Sequence, residues 1–101
     1  MAQEAGKTIA EDDKAPDPRP GLLWAKIYTP FTTFFDGEAK SVTAKNDTGV
    51  FDVLAEHHNF ITMLLPYDVV VEDAEGEKHT IPTQRGLLHI KDNHLTLFMD
   101  V

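Results

Sequence analysis

Two apolar runs, residues 50–54 (Val-Phe-Asp-Val-Leu) and 60–65 (Phe-Ile-Thr-Met-Leu-Leu), flank the short polar break Ala55-Glu56-His57-His58-Asn59. Each run has the length of a strand and is too short for a helix of three turns. A break that short brings the chain back close to where it left. The two runs are therefore expected to sit as a pair, with the later segments pairing back onto them.

The rest of the chain repeats this texture. Residues 22–29 are apolar and aromatic, with Trp24, Ile27 and Tyr28, and suit a first strand that Pro30 interrupts. Phe34 and Phe35 lead into Asp36-Gly37, which reads as a hairpin turn because glycine permits a positive φ. Residues 38–45, with Ala39, Val42 and Ala44, read as a half-buried strand, and residues 46–49 as the next turn. Pro66-Tyr67-Asp68 turns the chain before Val69-Val70-Val71, whose β-branching suits a strand covered on both faces. Residues 73–76 turn again. The short polar segment 78–82 reads as an edge strand, where Pro82 is tolerated. Residues 87–90 form another strand, Asp92-Asn93 the last turn, and residues 95–101 alternate with a period of two.

Turn signals recur about every ten residues, and the break at residues 55–60 has room for one helical turn at most. The pattern predicts an all-β fold, a two-sheet antiparallel sandwich of about eight to ten short strands over residues 22–101. Residues 1–21 read as a disordered, acidic tail ending in Pro16, Pro18 and Pro20. Its one large apolar residue, Ile9, offers too little burial to offset the entropy of ordering.

Composition narrows the function classes. A chain of 101 residues is one domain. It has no cysteine and hence no disulfide, which fits a reducing compartment. No apolar run is long enough to span or insert into a membrane. A net charge of -8 repels phosphate backbones and anionic headgroups, which argues against nucleic acid and for a protein or neutral partner.

The residues offer little chemistry. Ser41, the only serine, sits inside a strand segment without the glycines of a nucleophile elbow. His57 and His58 are adjacent, so regular structure points them apart, and no His-x-His pair exists. His79, His89 and His94 read as solvated or hydrogen-bonded histidines. Asp73, Glu75 and Glu77, like Asp36 and Glu38, lack the spacing of a calcium loop and read as solvated turns. Gly49, Gly76 and Gly86 stand alone, so there is no phosphate loop. No catalytic, cofactor-binding or metal-binding residue is expected.

The ordered blocks carry more. They run Lys26-Ile27-Tyr28-Thr29-Pro30, Phe34-Phe35-Asp36-Gly37-Glu38-Ala39 and Ser41-Val42-Thr43-Ala44, then Gly49-Val50-Phe51-Asp52-Val53-Leu54, His57 and Phe60-Ile61-Thr62-Met63-Leu64. Gly86-Leu87-Leu88-His89-Ile90, Asp92-Asn93 and Leu95-Thr96-Leu97 close the set. In this order and spacing they resemble the N-terminal β-sandwich domain of the F-type ATP synthase epsilon subunit (delta in mitochondria). The family's Pro-Gly-His-Ala-Pro loop is here Ala55 to Asn59, keeping only a histidine. Most members continue into a helical hairpin that senses ATP and inhibits rotation, and those two activities are not expected of these residues.

The resemblance implies a non-catalytic central-stalk subunit with no cofactor. Its partners would be the gamma subunit and the c-ring, and its place the cytoplasmic face of the membrane, bound peripherally. There it would help couple proton or sodium flow to rotation, which asks for a stiff, densely packed body. By family match Asp47, Thr48, Gly49, Val50 and His57 would face the c-ring, with acidic groups such as Asp47 pairing with basic ring residues. Thr29, Phe60, Ile61 and Thr62 would face gamma. Read without the resemblance, Phe60 and Ile61 are core candidates and residues 47–49 a plain turn. Two rival readings remain: a stand-alone β-sandwich interaction module, and a small metal-dependent enzyme using His57 or His58 with Glu56.

Overall fold

The computed structural model describes residues 16–99. Within them run eight strands and no helix: β1 (Leu23–Tyr28), β2 (Thr33–Asn46), β3 (Gly49–Leu54), β4 (Phe60–Leu64), β5 (Tyr67–Asp73), β6 (Lys78–Thr83), β7 (Gly86–Lys91) and β8 (His94–Met99). Their hydrogen-bonded order is β4-β7-β8-β1-β2-β5-β6, with β3 also on β2.

The long β2 joins the two layers of the sandwich. Up to Ala39 it pairs with β1. From Ser41 onward it pairs with β3, and around residues 39–43 with β5. Between these stretches the register with β5 shifts at Lys40. The buried positions record the extra residue: Ala39 points inward, then Val42 and Ala44, so the phase changes from odd to even. A bulge adds one residue to one strand and increases its local twist, and that is what turns β2 from one layer to the other.

The folded-over sheet meets itself at both ends. At one, the Leu65 amide donates to the Lys45 carbonyl at 2.9 Å, and Asn46 Nδ2 donates to Thr62 Oγ1 at 3.2 Å. At the other, Thr83 Oγ1 contacts Met99 Sδ at 3.2 Å. Between the layers lies one continuous core. Leu23, Ala25 and Ile27 of β1, Val42 and Ala44 of β2, Val53, Val69, Val71, Leu88, Ile90, Leu95 and Leu97 all belong to it. Period-two alternation supplies these side chains from every strand, giving the dense interior expected of a stiff body.

The all-β sandwich and the turns at residues 47–48, 74–76 and 92–93 are as the sequence predicts. Several details differ. Asp36-Gly37 is not a turn but lies within β2, opposite Lys26 and Ala25, and Gly37 does not use a positive φ. The real turn is at residues 30–32, after Pro30 ends β1. β3 and β4 do not pair: β3 hydrogen-bonds to β2 and β4 to β7. The short break does keep them close, with the Phe51 and Phe60 rings 6.2 Å apart edge to face, but across layers. One pair, β1 with β8, is parallel, since the first and last strands need no direct connection. Val70 faces outward and is only half buried.

Part of the expected tail is held against the sheet. The Arg19 guanidinium and amide both reach the Glu38 carboxylate, and His94 contacts the Pro16 carbonyl. Residues 1–15 of that tail, and positions 100–101 of the last alternating run, lie outside the described residues.

Candidate functional site

The pleat sends every second side chain of β4, β7, β8 and β1 to the outside of one layer, and register sets them in rows. Met63 lies opposite Leu87, Leu87 opposite Phe98, and Phe98 beside Tyr28. Tyr28 and Phe98 meet edge to face with centroids 5.3 Å apart. This row is apolar across four strands, and Met63 is 65% exposed. The next row begins with exposed Ile61 and continues through His89, Thr96 and Lys26 to Asp36. Lys26 Nζ lies 5.1 Å from the Tyr28 ring centre, bordering the apolar row with a cation.

The outer face of the other layer has a different character. Its rows run Asp52–Thr43–Val70–Thr80 and Leu54–Ser41–Glu72–Lys78, and the Thr43 hydroxyl donates to the Asp52 carboxylate. Apolar side chains there, such as Val50 and Leu54, stand singly at the β3 margin. Isolated apolar residues are ordinary on a surface, whereas a continuous row marks a contact surface.

At the edge of the apolar row the turn after β1 projects Phe31, 92% exposed. Thr29 builds that turn. Its Oγ1 accepts from the Phe31 and Thr32 amides at 3.1 and 3.0 Å, while its own amide donates to the Thr32 carbonyl at 2.7 Å. Thr29 itself is buried.

The residues expected to face gamma therefore separate by role. Ile61 points outward beside the apolar row. Phe60 is half buried against Phe51 and the two histidine rings. The Thr62 hydroxyl accepts from Asn46, and the Thr29 hydroxyl is spent within its own turn.

The residues expected to face the c-ring occupy both ends of β3. Asp47 and Thr48 form the exposed tip before it, where Thr48 donates twice to Asn46 Oδ1. Gly49, at φ 125°, lets the chain enter the strand, and Val50 follows exposed. His57 lies beyond the far end of β3, a strand about 16 Å long at the rise of an extended chain. Its ring stacks on His58 at 4.4 Å, and its Nδ1 lies 2.9 Å from the His58 carbonyl.

Four hydrogen bonds lock the His57 segment to the β7–β8 turn. The Glu56 amide donates to Asn93 Oδ1, and Asn93 Nδ2 donates to the Glu56 carboxylate. The Asp92 amide donates to Asn59 Oδ1, and Asn59 Nδ2 donates to Asp92 Oδ1. Glu56 is thus turned toward Asn93, and its carboxylate is not joined to either histidine as the metal-enzyme reading requires.

Asp73, Glu77 and His79 each bring a ligand-type atom within 4.8 Å of the others. Asp73 is already engaged: Oδ1 accepts from the Glu75 and Glu77 amides, and Oδ2 lies 2.8 Å from His79 Nε2. The His79 hydrogen bond foremost, then the two amides against a desolvation penalty, holds the Asp73 carboxyl below its usual range. This is a turn secured by its own carboxylate.

The family model for the beta-sandwich domain of the ATP synthase delta/epsilon chain matches residues 23–101. The chain belongs to this family. ATP synthase epsilon chains of Clostridium botulinum and Nitratiruptor sp. are 32% and 31% identical to it, over 75 and 78 residues. Those matches cover 74% and 77% of this chain but 56% and 60% of theirs, so it spans a little over half their length. Among solved structures, a chain of the Euglena gracilis mitochondrial ATP synthase with its c-ring superposes with a TM-score of 0.76 at 16% identity, covering 98% of this chain and 67% of that one. A chain from the Tetrahymena thermophila mitochondrial ATP synthase central stalk and c-ring gives 0.66 at 13%, covering 84% and 67%. At such identities these likenesses show the fold. For an epsilon-type sandwich, the apolar row is the feature that sequence reading missed. Its members come from four strands, so only register makes them neighbours. The signal available was in β4, where Ile61 and Met63 on one face and Phe60 and Leu64 on the other are apolar, too apolar for a strand with one face in water.

Proposed function

We propose that this chain is a non-catalytic, epsilon-type subunit in the central stalk of a rotary ATP synthase. It grips the gamma subunit and rests on the c-ring, helping to couple ion flow to rotation. It does this as a peripheral component on the cytoplasmic face of the membrane. Among the described residues no helix is long and apolar enough to cross a membrane.

The supporting observation is the contrast between the two outer faces. The row Met63–Leu87–Phe98–Tyr28, with Ile61 beside it and Phe31 at its end, offers aromatic and aliphatic anchors to gamma. On the ring side, in this reading, Asp47 at its exposed tip meets basic loops. Such a rim charge steers association more than it adds affinity. A ring contact that includes His57 as well must run along the whole of β3.

Load transfer between these surfaces requires that the sandwich not shear. The β2 strand shared by both layers and the closures at Leu65–Lys45 and Thr83–Met99 supply that stiffness. The test is purification of the tagged chain from its native source in mild detergent. Gamma and the c-ring are expected to copurify with it stoichiometrically. Recovery of the chain alone, while gamma and ring subunits copurify with each other, overturns the proposal in favour of a separate interaction module.

A further inference from the structure

The His94 ring is held between acceptors on both sides. Its Nδ1 lies 3.0 Å from the Asp92 carbonyl and its Nε2 3.1 Å from the Pro16 carbonyl. A carbonyl oxygen can only accept. A neutral imidazole has one N–H and can satisfy one of these contacts; an imidazolium has two and satisfies both. The Asp17 carboxylate lies 3.7 Å from Nε2, adding a charge that attracts only the imidazolium.

We infer that His94 is a proton-operated latch that fastens residues 16–18 onto the sheet when its ring is doubly protonated and releases them when it is neutral. The rest of the segment has a separate fastening. Arg19 donates through Nε to Glu38 Oε1 at 2.9 Å and through its amide to Oε2 at 2.9 Å. Those contacts, the Arg19 side chain first, hold the Glu38 carboxyl below its ordinary range, so this clasp keeps its charges throughout the neutral range. Protonation of His94 therefore controls only the described residues before Arg19.

Among the described residues the charges around the ring are few. Asp17 and the Asp92 side chain favour the imidazolium. Lys91, paired with His94 across the β7–β8 turn, opposes it, and Trp24 on β1 brings no charge. The Arg19–Glu38 pair beyond Trp24 is internally neutralised. Asp17 is 91% exposed and contributes a screened attraction, so the contacts that distinguish the two ring states are the two carbonyl acceptors. The Asp92 carbonyl belongs to the same turn that is locked to the His57 segment, so one side of the latch is rigid and the Pro16 side gives way. The inference holds whatever partner the apolar face binds.

The test is a pH titration of the full chain by NMR, following the His94 ring and the backbone amides of Asp17 and Arg19 between about pH 5 and 8, the range in which histidine changes charge. The Asp17 amide is expected to lose order on the same midpoint as the ring while Arg19 stays ordered. In His94→Gln, whose side-chain amide has one donor nitrogen and cannot change charge, Asp17 should show no pH dependence over that range. Amides of β8 report in the same spectra that the variant is folded. A ring that titrates without moving Asp17, or an Asp17 transition that persists in His94→Gln, overturns the inference.

Discussion

The Thr29 side-chain oxygen accepts the Phe31 amide at 3.1 Å, and Phe31 beyond it stands almost wholly in solvent. One residue stiffens the turn and its neighbour is displayed by it. Thr29→Val removes two accepted hydrogen bonds at unchanged shape and should cost about 1 kcal/mol. Phe31→Ser removes an exposed ring and should change stability by no more than about 0.5 kcal/mol. Urea denaturation of both variants checks the pair. Equal costs would mean that Phe31 has an intramolecular role.

Gly86 begins β7 under the end of β8. A Cβ there would sit 2.9 Å from Leu97 Cδ1 and 3.0 Å from the Phe98 carbonyl oxygen. The leucine can rotate, but the backbone oxygen of a central strand cannot. Gly86→Ala is therefore expected to destabilise by about 1–3 kcal/mol, as overpacking does. Thermal unfolding at wild-type temperature would show that β7 and β8 can separate freely.

Acid should act on the β5–β6 turn. The Asp73 carboxyl is held below its unfolded reference of 3.8, chiefly by its hydrogen bond with His79. A depressed carboxylate stabilises the fold fully above the unfolded value, and that contribution is lost as pH falls through the folded one. In Asp73→Asn the stability at neutral pH should fall, and its decline below about pH 3.8 should be shallower than in wild type. Chemical denaturation at a series of pH values measures both. An acid limb of unchanged slope counts against the assignment.

Much of this fold can be read along the chain, because turns and alternation are local. Asp92-Asn93, both at positive φ, make the two-residue turn that their side chains suit. Asp36-Gly37 misleads for the same reason. The dipeptide permits a turn without requiring one, and the pairing of Asp36 with Lys26 and of Gly37 with Ala25 shows the strand running through it. The bulge was visible as the uneven spacing of Ala39, Val42 and Ala44, though not its consequence, a strand shared by two layers. Thr62 and Thr29 look like surface residues in sequence, and only the tertiary contacts reveal hydroxyls already engaged. The apolar row showed in the sequence only as the two apolar faces of β4, because Met63, Leu87, Phe98 and Tyr28 are neighbours by register alone.

The gamma-binding surface proposed above is the outer face of β4-β7-β8-β1. The most direct measurement is the affinity of the purified chain for gamma from the same source, by calorimetry, with Leu87→Lys, Met63→Lys and, on the opposite face, Thr80→Lys. Thermal unfolding of each variant confirms that it is folded. Leu87→Lys and Met63→Lys are each expected to weaken binding by about tenfold or more, equivalent to about 1.4 kcal/mol, while Thr80→Lys binds as wild type. Undiminished binding by the folded Leu87→Lys and Met63→Lys variants, or a loss confined to Thr80→Lys, would contradict it.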